Sequence, residues 1–131
     1  MSQPSHRVLR HIVLLSFTET ATPTRLQAIE QAFAALSPES AEIKGFEWGT
    51  DVSVEHLADG YTHCFLVTFA SASDRDTYLV HPAHQAFAAG LQPHLAKALV
   101  IDYWAGRLQA TSGGSTSTRM SMVRTGSSST P

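Results

Sequence analysis

The stretch Tyr61-Thr62-His63-Cys64-Phe65-Leu66-Val67-Thr68-Phe69 decides the fold. It is dense in β-branched and aromatic side chains and lies between Gly60 and a serine-containing segment, so it reads as a strand. Successive side chains of a strand point to opposite faces. His63, Phe65, Val67 and Phe69 therefore share one face, and Cys64, Leu66 and Thr68 share the other. Both faces carry large apolar groups, so both need cover.

Working outward, the same alternation recurs. Residues 8–17 read as a strand with His11, Val13, Leu15 and Phe17 opposing Ile12 and Leu14. Residues 98–104 place Ala98, Val100, Asp102 and Trp104 against Leu99, Ile101 and Tyr103. Residues 43–52 read as a further strand, weakened by Gly45 and Gly49. Between these strands lie helical patterns. Thr22 can cap a helix that Pro23 opens, and Leu26, Ile29, Phe33 and Leu36 recur at three- and four-residue steps over residues 23–36. Ser71, Ser73 and Asp74 offer caps for a short helix to about residue 80. His81-Pro82 interrupts it, because the residue before proline avoids the helical region. Pro82 then starts another helix that ends near Pro93 or slightly beyond.

The resulting order, β-α-β-β-α-β, predicts a ferredoxin-like α+β fold: a four-stranded antiparallel sheet with helices on one face. The uncovered face would expose Ile12, Leu14, Leu66, Leu99, Ile101 and Tyr103 together. A patch of that kind marks an interface. Packing two such sheets face to face about a two-fold axis hides it, so the sequence predicts a homodimer, a dimeric α+β barrel.

Charge and composition narrow the function. Hydrophobic residues make up 43% and charged residues 15%, with a formal net charge of -2, so nothing here attracts nucleic acid or an anionic membrane. No apolar run is long enough to span a bilayer, and residues 1–10 lack the apolar core of a signal peptide. One cysteine, Cys64, cannot form an internal disulfide, which fits a reducing compartment. The expected location is the cytoplasm. Residues 8–105 are expected to form the domain, and residues 106–131, rich in Ser, Thr and Gly, a disordered tail.

Seven histidines are a generous supply of imidazoles. Each titrates near neutrality and can move a proton there. His11 and His63 fall on one strand face together with Asp102, while Tyr78, His81 and His84 surround the start of a helix. A phenol can donate a hydrogen bond to a carbonyl or developing enolate, and a carboxylate such as Asp102 can fix a histidine tautomer. This is an acid/base set that requires no metal, no cofactor and no nucleophile. His81 and His84 lack the accompanying ligands of a zinc site, and no phosphate-binding glycine loop or serine elbow is present. His81 also suits a capping role at the Pro82 break.

These residues carry a resemblance. His11-Ile12-Val13-Leu14-Leu15-Ser16-Phe17 resembles the opening strand of the stress-responsive A/B barrel family. Phe46-Glu47-Trp48-Gly49-Thr50-Asp51-Val52, Gly60-Tyr61-Thr62-His63, Thr68-Phe69 and Asp102-Tyr103 are similar to its later motifs. Its most specific signature is matched by Tyr78-Leu79-Val80-His81-Pro82-Ala83-His84-Gln85-Ala86-Phe87. The likeness spans about residues 10–104 and implies a dimeric barrel. Among plant members a polyketide cyclase closes its substrate by aldol chemistry. By that resemblance His84 is the general base and Tyr78 orients or protonates the reacting oxygen. His11, His63 and His81 line the cavity, and Asp102 helps hold His84. Phe33, Phe65 and Leu95 stand where the cyclase has Tyr, Val and Trp, and so reshape the pocket. The implied ligand is a small hydrophobic or polyketide-like molecule. The wider superfamily also holds cofactor-free monooxygenases, for which Trp48 and Trp104 are the only hint, and relatives that assemble into larger shells.

Overall fold

A computed structural model describes residues 7–106. The proposed tail lies outside the described residues, apart from Gly106. Strand β1, Leu9–Phe17, is followed by helix α1, Pro23–Ala34, a single turn α2, Leu36–Glu39, and strand β2, Ile43–Thr50. Strand β3, His63–Phe69, helices α3, Ala72–Leu79, and α4, Pro82–Leu91, a 3-10 turn, Gln92–His94, and strand β4, Leu95–Trp104, complete the fold. All neighbouring strands pair antiparallel in the order β2-β3-β1-β4. The predicted ferredoxin-like α+β arrangement is present.

Differences from the sequence reading have local causes. The first helix stops at Ala34 rather than running through Leu36. The carbonyl of Ala34 would have to bond to the nitrogen of Pro38, which carries no hydrogen, so the chain re-starts as α2. β2 ends two residues early because the Asp51 carboxylate accepts a hydrogen bond from the Ser53 amide (3.0 Å), turning the chain. β3 begins at His63, since Tyr61 is held in a turn by its amide bond to the Ala58 carbonyl (3.0 Å). β4 begins three residues early, so Leu95 opens a strand.

Strand alternation is as the sequence predicts. On the inner face, beneath the helices, Leu15, Phe65, Val67, Phe69 and the helical Tyr78 are sealed from solvent. Phe33 on α1 stacks on Phe65 with ring centroids 4.1 Å apart. On the outer face Leu99, Ile101 and Tyr103 are 41–51% exposed, with Ile12, Leu14 and Leu66 half-buried beside them. Among the described residues no helix is long and apolar enough to cross a membrane.

Candidate functional site

The break at His81-Pro82 builds one wall of the site. Ser71 caps α3 by accepting from the Asp74 amide (3.0 Å), and His81 caps α4 through its Nδ1, which accepts from the Ala83 amide (3.0 Å). The two caps fix the angle between α3, which carries Arg75 and Tyr78, and α4, which carries His84. Below them β1 and β4 are in register so that His11 lies directly opposite Asp102.

A cavity of about 320 Å³ opens between α4 and this edge of the sheet. Nine of its lining residues are apolar, and only His11, His84 and Asp102 are polar. Its mouth runs along β4, where Val100 is 52% exposed.

Each polar group is positioned. His84 is half-buried and its Nδ1 donates to the Leu79 carbonyl (3.2 Å). That bond assigns the ring hydrogen to Nδ1 and leaves the Nε2 lone pair free. Burial pushes the His84 pKa down, aided by the nearby His11 and His81, while the Leu79 bond opposes the shift. The ring is therefore neutral, in its base form, at neutral pH. His11 Nδ1 donates to Asp102 Oδ1 (2.7 Å), and Arg75 donates to Asp102 Oδ2 (2.8 Å) and to Asp76 (2.8 Å). Tyr78 lies between the two imidazoles, its ring 4.6 Å from His84 and 6.1 Å from His11. Its hydroxyl is buried without a hydrogen-bond partner among the described residues, and burial raises its pKa far above the ordinary phenol value. It is a neutral phenol under all working conditions.

The site residues expected from sequence divide into two groups. His11, His84, Asp102 and Phe33 line the cavity, with Tyr78 packed immediately behind the two imidazoles. Asp102 holds His11 and not His84, because β1–β4 register sets those two side chains opposite each other, while His84 is turned to a carbonyl of its own loop. His63 is elsewhere. It pairs with Leu15 in the sheet, four residues along from the Val67–His11 pair. There its Nε2 meets Glu30 (2.8 Å), its Nδ1 meets Thr62 (2.8 Å), and Phe17 packs edge-on at 5.0 Å. Phe65 lies beneath Phe33 and does not reach the cavity. His81 is used as a helix cap. Arg75, Glu30 and the Leu79 carbonyl were not legible as partners, although Arg75 precedes Tyr78 by one helical turn. Among the described residues no three His, Cys, Asp or Glu side chains converge on a metal position.

A larger opening of about 470 Å³ lies on the outer face, under the loop between β2 and β3, with Leu14, Tyr61, Cys64 and Leu99 in its wall. His63, Asp51 and Asp59 also line it, with His63 bonded to Glu30 (2.8 Å) and Asp59 to Lys97 (3.0 Å). The thiol of Cys64 there is held in its protonated form by burial, which raises its pKa.

Comparison with known proteins sets this geometry in a family. Residues 9–105 match the Stress responsive A/B Barrel Domain, Dabb. The chain is 40% identical over 95 residues to the stress-response A/B barrel domain-containing protein HS1 of Arabidopsis thaliana, covering 72% of this chain and 87% of that one. It is 30% identical over 95 residues to olivetolic acid cyclase of Cannabis sativa, covering 72% and 94%. Among solved structures, hydroxynitrile lyase from Passiflora edulis superposes with a TM-score of 0.75 at 29% identity, covering 81% of this chain and 99% of the other. A protein of Jannaschia sp. CCS1, described as dimeric and ferredoxin-like, superposes with a TM-score of 0.65 at 27% identity, covering 73% and 97%. The chain belongs to the stress-responsive A/B barrel domain family.

Proposed function

We propose that the protein is a homodimer whose inner cavity binds a small carbonyl compound and removes a proton from the carbon beside the carbonyl, with His84 as base. The carrying observation is the buried Tyr78 hydroxyl, which has no hydrogen-bond partner among the described residues and sits on a ring whose centroid is 4.6 Å from that of His84, a histidine whose Nε2 lone pair is free. A buried hydroxyl without a partner is costly, and such groups are rare in folded proteins. In this reading His84 Nε2 accepts the carbon-bound proton. The electron pair moves onto the carbonyl oxygen, and the Tyr78 O–H donates to the enolate so formed. The enolate carbon then attacks a second carbonyl, as in an aldol closure, and the proton on His84 returns to the new alkoxide. No metal or cofactor enters. One relative, named as a cyclase, supports ring-closing chemistry.

The dimer rests on the apolar outer face and on the Jannaschia protein described as dimeric. Burying Leu99, Ile101 and Tyr103 against a second copy removes the largest apolar patch on the sheet from water.

The test is hydrogen–deuterium exchange at the carbon beside the carbonyl of aryl ketones in D2O, followed by proton NMR. The full chain accelerates exchange, His84→Ala abolishes the acceleration, and Tyr78→Phe lowers it, all as folded dimers. Acceleration that survives His84→Ala would overturn the assignment. A second reading, a carrier that binds without turnover, is favoured by the dominance of apolar lining. Native mass spectrometry of a dimer with bound small molecule but no exchange activity would select it.

A further inference from the structure

The polar groups of the cavity are unusual in what they offer a ligand. His11 Nδ1 is committed to Asp102 and His84 Nδ1 to the Leu79 carbonyl, so each ring presents an Nε2 lone pair. The third polar lining group, Asp102, is a carboxylate. All three are acceptors. Behind this lining the Tyr78 phenol is a donor that lacks an acceptor among the described residues.

No Lys or Arg is among the lining residues. The nearest cation, Arg75, already donates to both Asp102 and Asp76, which surround it with two carboxylates. A carboxylate drawn into this apolar cavity would lose its water and meet two lone pairs and a negative charge. A ketone, aldehyde or thioester carbonyl suffers none of this. Its oxygen needs a single donor, and its acidic C–H suits a lone pair. The volume, near the lower end of the range for small-molecule sites, suits a compact apolar body.

We infer that this cavity selects an uncharged carbonyl compound with an apolar body and turns carboxylates away, and that Asp102, oriented by Arg75, is the residue that sets this choice. The inference rests on the reading of the cavity as a small-molecule site, and it adds the charge class of the ligand and a specificity-determining residue.

The test uses two pairs of near-isosteres that differ in charge: acetophenone against benzoate, and 4-phenyl-2-butanone against 3-phenylpropanoate. Binding to the full-length protein is followed by amide and imidazole NMR shifts at Val100 and His84. The ketone of each pair is expected to bind at least tenfold more tightly. Asp102→Asn removes the negative charge and frees the Arg75 cation, and is expected to narrow the preference tenfold or invert it. Val100→Lys, at the half-exposed mouth, brings in a cation without touching the His11–Asp102 pair. It is expected to admit 3-phenylpropanoate even if Asp102→Asn folds poorly. Equal or tighter binding of the carboxylates by the unmodified protein overturns the selectivity while leaving the small-molecule site standing. A preference unchanged by a folded Asp102→Asn protein overturns the role of Asp102, and one unchanged by Val100→Lys overturns the exclusion of carboxylates by lack of a cation. Failure of all four compounds to bind overturns the small-molecule site itself, and the selectivity with it.

Discussion

Removing the Tyr78 hydroxyl should make the protein more stable and less active. The side chain is 1% exposed, and its oxygen has no hydrogen-bond partner among the described residues. Burying a hydroxyl unpaired costs about 1–3 kcal/mol relative to leaving it in water. Tyr78→Phe removes that cost and keeps the ring contacts with Phe69 at 5.2 Å and His84 at 4.6 Å. Against this stands the small void left by the oxygen. At about 24 cal/mol per Å³, a void of roughly 15 Å³ costs only about 0.4 kcal/mol. The hydroxyl term wins, and the expected gain is about 1–2 kcal/mol. For a domain of this size that raises the midpoint of thermal unfolding by roughly 5–10 °C. The assay is urea and thermal denaturation of both proteins at one fixed protomer concentration, because the proposed dimerisation would make the midpoint concentration-dependent. A Tyr78→Phe protein less stable than the parent by about 0.5 kcal/mol or more would mean that the hydroxyl is satisfied in the folded protein, and the case for an uncommitted catalytic phenol would fail.

Four further outcomes follow from the same contacts. His84 titrates lower when folded than the value of about 6.5 expected of an unfolded histidine. Between those two values the unfolded chain binds a proton that the folded chain refuses, so stability falls as pH drops through 6.5 and levels off below the folded value. Urea midpoints at pH 7.5 and pH 5 should differ less for His84→Leu than for the parent. Equal differences would contradict the burial argument. The base form of His84 should also sustain proton exchange below pH 6.5, with loss only as the lowered value is reached. Ile101→Asp places a charge at the centre of the exposed outer face, which is 51% accessible at that position in the single chain. Sedimentation should show the dimer weakened more than 100-fold, since an unpaired buried charge costs about 3–5 kcal/mol. An unchanged dimer would place the interface elsewhere. Glu30→Ala removes the carboxylate partner of the buried His63 Nε2 and should cost about 1–3 kcal/mol in denaturation. Ketone exchange should continue at the parent rate, and a lost rate would return His63 to the site.

Strand pattern carried most of the fold. Period-two alternation in residues 61–69 and 8–17 is strong because both faces are buried or half-buried, and it correctly separated His11, Val13 and Leu15 from Ile12 and Leu14. Helix ends were less legible, because they depend on single groups such as the missing hydrogen of Pro38. The candidate site was legible as a list of residue types but not as a set of pairs. Sharing a strand face places two residues on the same side of a sheet and leaves their separation along it open. His11 and His63 share the inner face, but register puts His63 opposite Leu15 and His11 opposite Asp102. Only strand pairing, a property of three-dimensional structure, tells the histidine held by Asp102 from the one held by Glu30.

The edge strand β4 ties assembly to chemistry. Its alternate residues Leu99, Ile101 and Tyr103 form the exposed outer patch, while Ala98, Val100 and Asp102 border the inner cavity. A slip of one residue against β1 would exchange the two sets, turning Asp102 outward and an apolar side chain toward His11. Apolar patterning resists that slip only weakly, because both faces of β4 are apolar. The Asp102–His11 bond resists it strongly: His11 is buried, its Nδ1 needs an acceptor, and the residues flanking Asp102, Ile101 and Tyr103, offer no carboxylate. The pair that fixes the His11 tautomer in the cavity therefore also fixes the register that turns Leu99, Ile101 and Tyr103 outward, the face proposed to meet a second copy. Losing it should disturb the assembled face as well as the cavity, even though the two lie on opposite sides of the sheet.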